Sequence, residues 1–206
     1  MNPRPALART KILDVSLDLI RSKGLAATSV DDLCHAAGVT KGAFFHHFAS
    51  KEALAVASAQ HWGATTGAFF AAADYHRHPD PVDRILAYLD LRASLIGDDP
   101  AAYSCVAGTM AQEAFATSPA VRDACGTMID DHVLTLQPDF QAAIDRYAPG
   151  SGLSAHGIAT FAMVVIQGAF VVSKAADDPQ IVLDAIEHVR RYVRCLFTHD
   201  KEQRHD

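Results

Sequence analysis

The chain has 206 residues, half of them hydrophobic, with a formal net charge of −6. That is enough apolar material to bury a core in one or two domains, which excludes a disordered chain. The charge is uneven: residues 1–51 hold seven Lys/Arg against four Asp, net +3, and the rest hold eleven against twenty, net −9. A basic head on an acidic body points to a polyanion for the head alone.

In chain order, nearly everything reads as helix. From Ala8 to Arg21 the polar residues Lys11, Asp14, Asp18 and Arg21 step by three and four between apolar positions, which predicts a well-buried first helix. Gly24 follows Arg21 and Lys23 as its stop. Ser29-Val30-Asp31-Asp32 is a capping-box variant that opens a short helix through Ala37. Gly38 ends that helix, Thr40 caps a third through about His47, and Ser50-Lys51-Glu52 opens a longer fourth. Asp80-Pro81, Ser118-Pro119 and Asp178-Pro179 each set a capping side chain before a proline, and Ser154 caps a further helix. Pro138 is expected to kink or split the 118–147 segment. No stretch alternates like a half-buried strand, so the fold class is all-α, with eight to ten helices.

The longest apolar run, Ile158 to Val172, would span about 22 Å as a helix against a bilayer core of about 30 Å, so no membrane partner is expected. The start, Met1-Asn2-Pro3-Arg4-Pro5, lacks the apolar core of a signal peptide. Cysteines at 34, 105, 125 and 195 form no CxxC pair and suit a reducing cytosol. A helix apolar on nearly every side must be covered on nearly every side. Ser154–Ala175 and Pro179–Phe197 are therefore expected to form a dimer surface, a four-helix bundle with their symmetry mates. The second carries the stripe Val182, Ala185, Ile186, Val189, Val193 and Leu196.

Residues 29–48 have the layout of a helix-turn-helix, whose second helix enters the major groove. Thr40, Lys41, Gly42, Phe45 and His46 lie at or near the start of that helix, while Phe44 and Phe48, four apart, can face the core. Glycine at 42 lets the backbone approach DNA closely, and Lys41 can meet phosphate or a guanine edge. Lys51, opening the next helix, can bind a further phosphate. Gly24-Leu25-Ala26-Ala27-Thr28-Ser29-Val30-Asp31-Asp32-Leu33, Ala37 to Phe48, and Ser50-Lys51-Glu52-Ala53-Leu54 together resemble the N-terminal domain of TetR-family transcriptional regulators. The resemblance covers about fifty residues in order and spacing. It implies a three-helix DNA-binding domain, residues 1–52, joined by a long fourth helix to a helical ligand-binding and dimerisation domain, residues 53–206. It also implies an all-helical homodimer on a palindromic double-stranded DNA operator, released by a small-molecule inducer. By position, the family's DNA contacts fall on Thr28, Thr40, Lys41, Gly42, Phe45, His46, His47 and Lys51. The family usually has tyrosine at the position of Phe45, so a phosphate hydrogen bond is missing here.

In the body, Arg84 to Tyr88 and Ser104 to Glu113 are similar to a subgroup with a Gly-Cys-Leu motif, some of whose members sense electrophiles or unsaturated molecules. Ser104 stands here in place of the glycine. Trp62, Phe69, Phe70, Tyr88, Cys105, Met110, Phe115, Gln167 and Phe170 are the expected ligand contacts. For Cys105 both ligand sensing and plain core packing remain open. Adjacent histidines on a helix diverge by roughly 100°, so His46-His47 is not read as a metal pair, and no metal or other cofactor is expected. The chain contains no GxSxG, HExxH, GxxxxGK[ST] or GxGxxG, so no catalytic residues are assigned. The competing reading is a helical carrier or enzyme whose N-terminal domain is only structural.

Overall fold

A computed structural model describes residues 3–197. Among them are ten α-helices and one 3-10 turn, with no strand. They are α1 (Pro3–Lys23), α2 (Val30–Ala37), α3 (Lys41–His47), α4 (Lys51–Ala71), α5 (Pro81–Ser94), α6 (Pro100–Tyr103), α7 (Val106–Ala114), α8 (Pro119–Tyr147), α9 (Ala155–Ala176) and α10 (Gln180–Phe197), with the 3-10 turn at Asp74–Arg77. The described residues divide into two compact units, one drawn from the ranges 1–69 and 104–130 and the other from 70–103 and 131–206.

The helix boundaries follow the capping chemistry. Gly24 (φ +86°) and Gly38 (φ +65°) take left-handed conformations that end α1 and α2, where a Cβ would be strained. Ser29 Oγ accepts the Asp32 N–H, and the Asp32 carboxylate accepts the Ser29 N–H, a reciprocal cap. Thr40, Asp80 and Ser154 cap α3, α5 and α9 through their side chains. Pro138 does not split α8, which runs unbroken from Pro119 to Tyr147. The carbonyl that loses its partner is that of Leu134, and both residues are exposed, so water can serve it.

The first unit closes on Ile12, Leu13, Leu33, Cys34, Ala37, Phe44, Phe48 and Leu54. The α10 stripe turns inward in the second unit: Val189 is 2% and Val193 0% exposed within the single chain, with α9 and α5 packed on that helix. These valines therefore belong to the chain's own core rather than to a dimer surface. The apolar residues left outward are Phe161, Val164, Val171 and Val172 on α9 and Tyr192 on α10, with the Phe161 and Tyr192 rings 5.0 Å apart.

Helix α9 extends past both ends of the Ile158–Val172 run that was expected to fall short of a bilayer. At 22 residues, α9 is long and apolar enough to cross a bilayer. One such helix is weak evidence for a span, and 44% of its most apolar window is buried against the chain itself.

Candidate DNA-binding surface and ligand cluster

Phe44, fully buried, anchors α3 in the core and tilts against Phe48 at 5.7 Å. That orientation turns Thr40, Lys41, Gly42, Phe45 and His46 outward, with His47 half-buried. Phe45 is 54% exposed and meets only the edge of Phe44, centroids 5.2 Å apart. A Cβ built on Gly42 would meet nothing closer than Thr40 Oγ1 at 3.8 Å, ordinary contact, so the fold itself does not require glycine there. The Lys41 ammonium lies 2.7 Å from the Asp31 carboxylate, which holds its pKa above the usual lysine value. His47 is held below the usual histidine value, first by burial and then by His46 and Arg9. It is therefore the neutral form that this environment favours.

Thr28 departs from this surface. It is 1% exposed, and its hydroxyl donates to the Gly24 carbonyl at 2.7 Å, so its side chain closes the α1–α2 loop. Lys51 opens α4 and donates to the Ala26 carbonyl at 3.1 Å. The N–H of the same Ala26 donates to the Glu113 carboxylate at 2.7 Å. One residue of the loop is thus gripped on both backbone groups, by α4 and by α7. In the sequence Glu113 is a carboxylate without an evident partner, because nothing local to α7 signals a contact 87 residues away.

The residues expected at a ligand site divide between the two units. In the first, Trp62 is half-buried under the Arg21 guanidinium, 5.1 Å from the ring centroid, and Met110 is fully buried. Phe69 and Phe115 point to solvent, Phe115 with 65% exposure, as large apolar side chains on a single chain can do. Cys105 is the N-cap of α7, its sulfur accepting the Gly108 N–H at 3.4 Å. Burial, and secondarily the neighbouring Cys105, push the Cys125 thiol up to about 12, which leaves it unreactive at neutral pH.

In the second unit Phe70, Tyr88 and Phe170 do come together, around a residue the sequence reading did not select. The Arg92 guanidinium carbon lies 5.4 Å from the Phe70 centroid and 6.0 Å from each of the Tyr88 and Phe170 centroids. The Tyr88 hydroxyl and His132 Nε2 are 2.8 Å apart. Desolvation, and then the Arg92 charge, depress His132 to about 4. Gln167 remains half-buried on α9. The legible signal for Arg92 was its spacing, since it continues the Ile85, Tyr88, Leu89 face of α5 and so sets a cation on an apolar stripe.

Two family models match the chain: "Bacterial regulatory proteins, tetR family" over residues 12–57, and "Tetracyclin repressor-like, C-terminal domain" over residues 81–189. The HTH-type transcriptional repressor KstR2 of Rhodococcus jostii is 46% identical over 46 residues, 22% of this chain and 22% of that protein. The chain thus matches about a fifth of the length of this relative. Among solved structures, a TetR-family regulator from Agrobacterium tumefaciens has a TM-score of 0.79 at 20% identity, covering 94% of this chain and 99% of that one. A TetR regulator from Chloroflexus aurantiacus has a TM-score of 0.79 at 25% identity, covering 95% and 98%. With one model alone extending over more than half of its residues, the chain belongs to the TetR family of bacterial regulatory proteins.

Proposed function

We propose that this chain is a ligand-responsive DNA-binding transcriptional regulator, a repressor that holds a near-palindromic operator as a homodimer and leaves it when a small molecule binds. The observation that carries the reading is Gly42. A glycine inside an exposed helix costs about 1 kcal/mol relative to alanine, and no neighbour within the fold demands it. Close approach of a groove or phosphate does. Around it stand Thr40, Lys41, Phe45 and His46, a cation and an apolar ring among hydrogen-bonding groups, with His47 and Lys51 beside them. Lys41 exchanges its Asp31 partner for a phosphate or guanine edge, and Phe45 offers apolar contact to a thymine methyl or sugar. A carrier or enzyme with a merely structural head has no use for Lys41 and Gly42 at the start of α3, whereas a groove reader does.

The matched stretches, 12–57 and 81–189, support residues 1–52 as the DNA-binding part and 53–206 as the ligand-binding and dimerisation part. Partner contact falls on the outward residues of α9 and α10, whose apolar side chains water would otherwise cover. An inducer acts only by binding better to a conformation whose recognition helices are mis-spaced for successive major grooves. Repressor names among the relatives support the sign of the response.

The test is to sequence the genomic fragments that the purified protein retains and measure binding to the recovered site by fluorescence anisotropy. A palindromic site bound tightly by the parent and weakly by Lys41→Ala is expected. Equal binding by both proteins would remove α3 from the groove.

A further inference from the structure

We propose that Arg92 is the counter-ion of an apolar monocarboxylate, a fatty or arylalkanoic acid, whose headgroup is shared between the guanidinium and the Tyr88–His132 pair and whose hydrocarbon lies against Phe70 and Phe170. This deepens the regulator reading and rests on it for the consequence at the operator, though not for the binding itself.

The cluster around Arg92 carries an imbalance of charge. Among the described residues of the second unit, Arg84 is 2.6 Å from Asp139, Arg146 is 3.3 Å from Asp80, Arg77 is 3.1 Å from Asp74, and Arg190 and Arg191 each meet a carboxylate. Arg92 has no carboxylate, carbonyl or hydroxyl partner for its guanidinium there, and three aromatic faces surround it. A guanidinium carries five donors and no acceptor, so a half-buried one retains donors for an incoming anion. Cation–π contact stabilises the charge without consuming those donors in hydrogen bonds.

The neighbours set the ligand's character. His132 is neutral at physiological pH, so the cluster holds a single positive charge. Between the neutral imidazole and the Tyr88 hydroxyl, one proton lies in their 2.8 Å hydrogen bond and one remains outside it, where the hydroxyl otherwise meets only the weak acceptor Met163 Sδ at 4.0 Å. One guanidinium set among three aromatic rings suits a monoanion rather than a polyphosphate. The rings of Phe70, Tyr88 and Phe170 suit a hydrocarbon rather than a sugar or amino acid. A planar carboxylate also fits the guanidinium fork in a bidentate pair.

The experiment is isothermal titration calorimetry on the purified full chain with decanoate and 4-phenylbutyrate, and with their methyl esters as uncharged controls. We expect at least one acid to bind and its ester to bind at least tenfold more weakly. Arg92→Gln should lose tenfold or more for the acid, while Arg92→Lys, which keeps the charge, should retain an intermediate affinity. Tyr88→Phe should lose several-fold. Circular dichroism on each variant separates a lost site from a lost fold, and Arg92→Lys keeps the test open if Arg92→Gln does not fold. Equal binding of acid and ester, an Arg92→Gln variant that binds the acid like the parent, or no binding of either acid would each overturn the proposal. Operator binding measured alongside distinguishes the two readings. An acid that binds at Arg92 but leaves the operator complex intact upholds the site and overturns its regulatory use. Release by the esters alone upholds the regulator and overturns the carboxylate site.

Discussion

Gly42 is where the demands of folding and of binding pull apart. Alanine there is free of clash and improves helix propensity, so Gly42→Ala should raise stability by about 0.5–1 kcal/mol. The added methyl stands on the face proposed to meet DNA, so operator affinity should fall in the same variant. Urea denaturation and anisotropy measured on one preparation check both signs, and affinity that rises with stability would count against this face. His132 gives a second residue-scale test. Its pKa in the fold, about 4, lies below its value of about 6.5 in the unfolded chain, so unfolding takes up a proton between those values. Stability is therefore full above about pH 6.5 and falls as the pH drops toward 4, by up to about 3 kcal/mol. His132→Asn should flatten that part of the stability–pH curve. An unchanged slope would assign the acid sensitivity to other groups.

Among the elements, the α1–α2 loop concentrates the most long-range information. Gly24 is left-handed at φ +86°, and a Cβ there would collide with the Glu113 carboxylate. Gly24→Ala should cost about 1–2 kcal/mol from backbone conformation alone, with the collision added. Combining it with Glu113→Ala should recover only the collision part, as a double-mutant cycle in urea would show. Glu113→Ala by itself removes the acceptor of the Ala26 N–H, loosening the grip that α7 and Lys51 exert on this loop. Lys51→Ala releases the other side, and it should also lower the slope of log affinity against log salt by about 0.9 if its ammonium meets one phosphate. A slope equal to the parent's would leave Lys51 as a loop clamp only.

For the whole molecule, the partition of apolar residues between core and surface predicts assembly. Val164→Glu places a charge on an outward α9 position, so the single chain should keep its stability while sedimentation shows monomer and operator affinity falls. Val189→Glu puts the same charge into a site 2% exposed within one chain, which should destabilise the fold by several kcal/mol whatever the oligomeric state. Were Val189→Glu to yield a folded monomer, the inward assignment of α10 would be wrong. The two substitutions look alike on a hydropathy plot and differ only once the helix faces are known.

That difference marks how far the sequence reaches. Helix class, the Ser29 and Thr40 caps, the stops at Gly24 and Gly38 and the outward face of α3 were all legible, because caps, glycine stops and 3.6-residue spacing act over one or two turns. Thr28 was placed by position alone, and only folding reveals that its hydroxyl donates to the Gly24 carbonyl. The α10 valines, the grip of Glu113 on Ala26 and the gathering of Phe70, Tyr88, Phe170 and His132 around Arg92 likewise depend on which helix packs where. An apolar stripe states that a face must be covered, and a charge that it needs a partner or water. Which partner covers it is settled by contacts tens of residues apart in the chain, and those exist only in the tertiary structure.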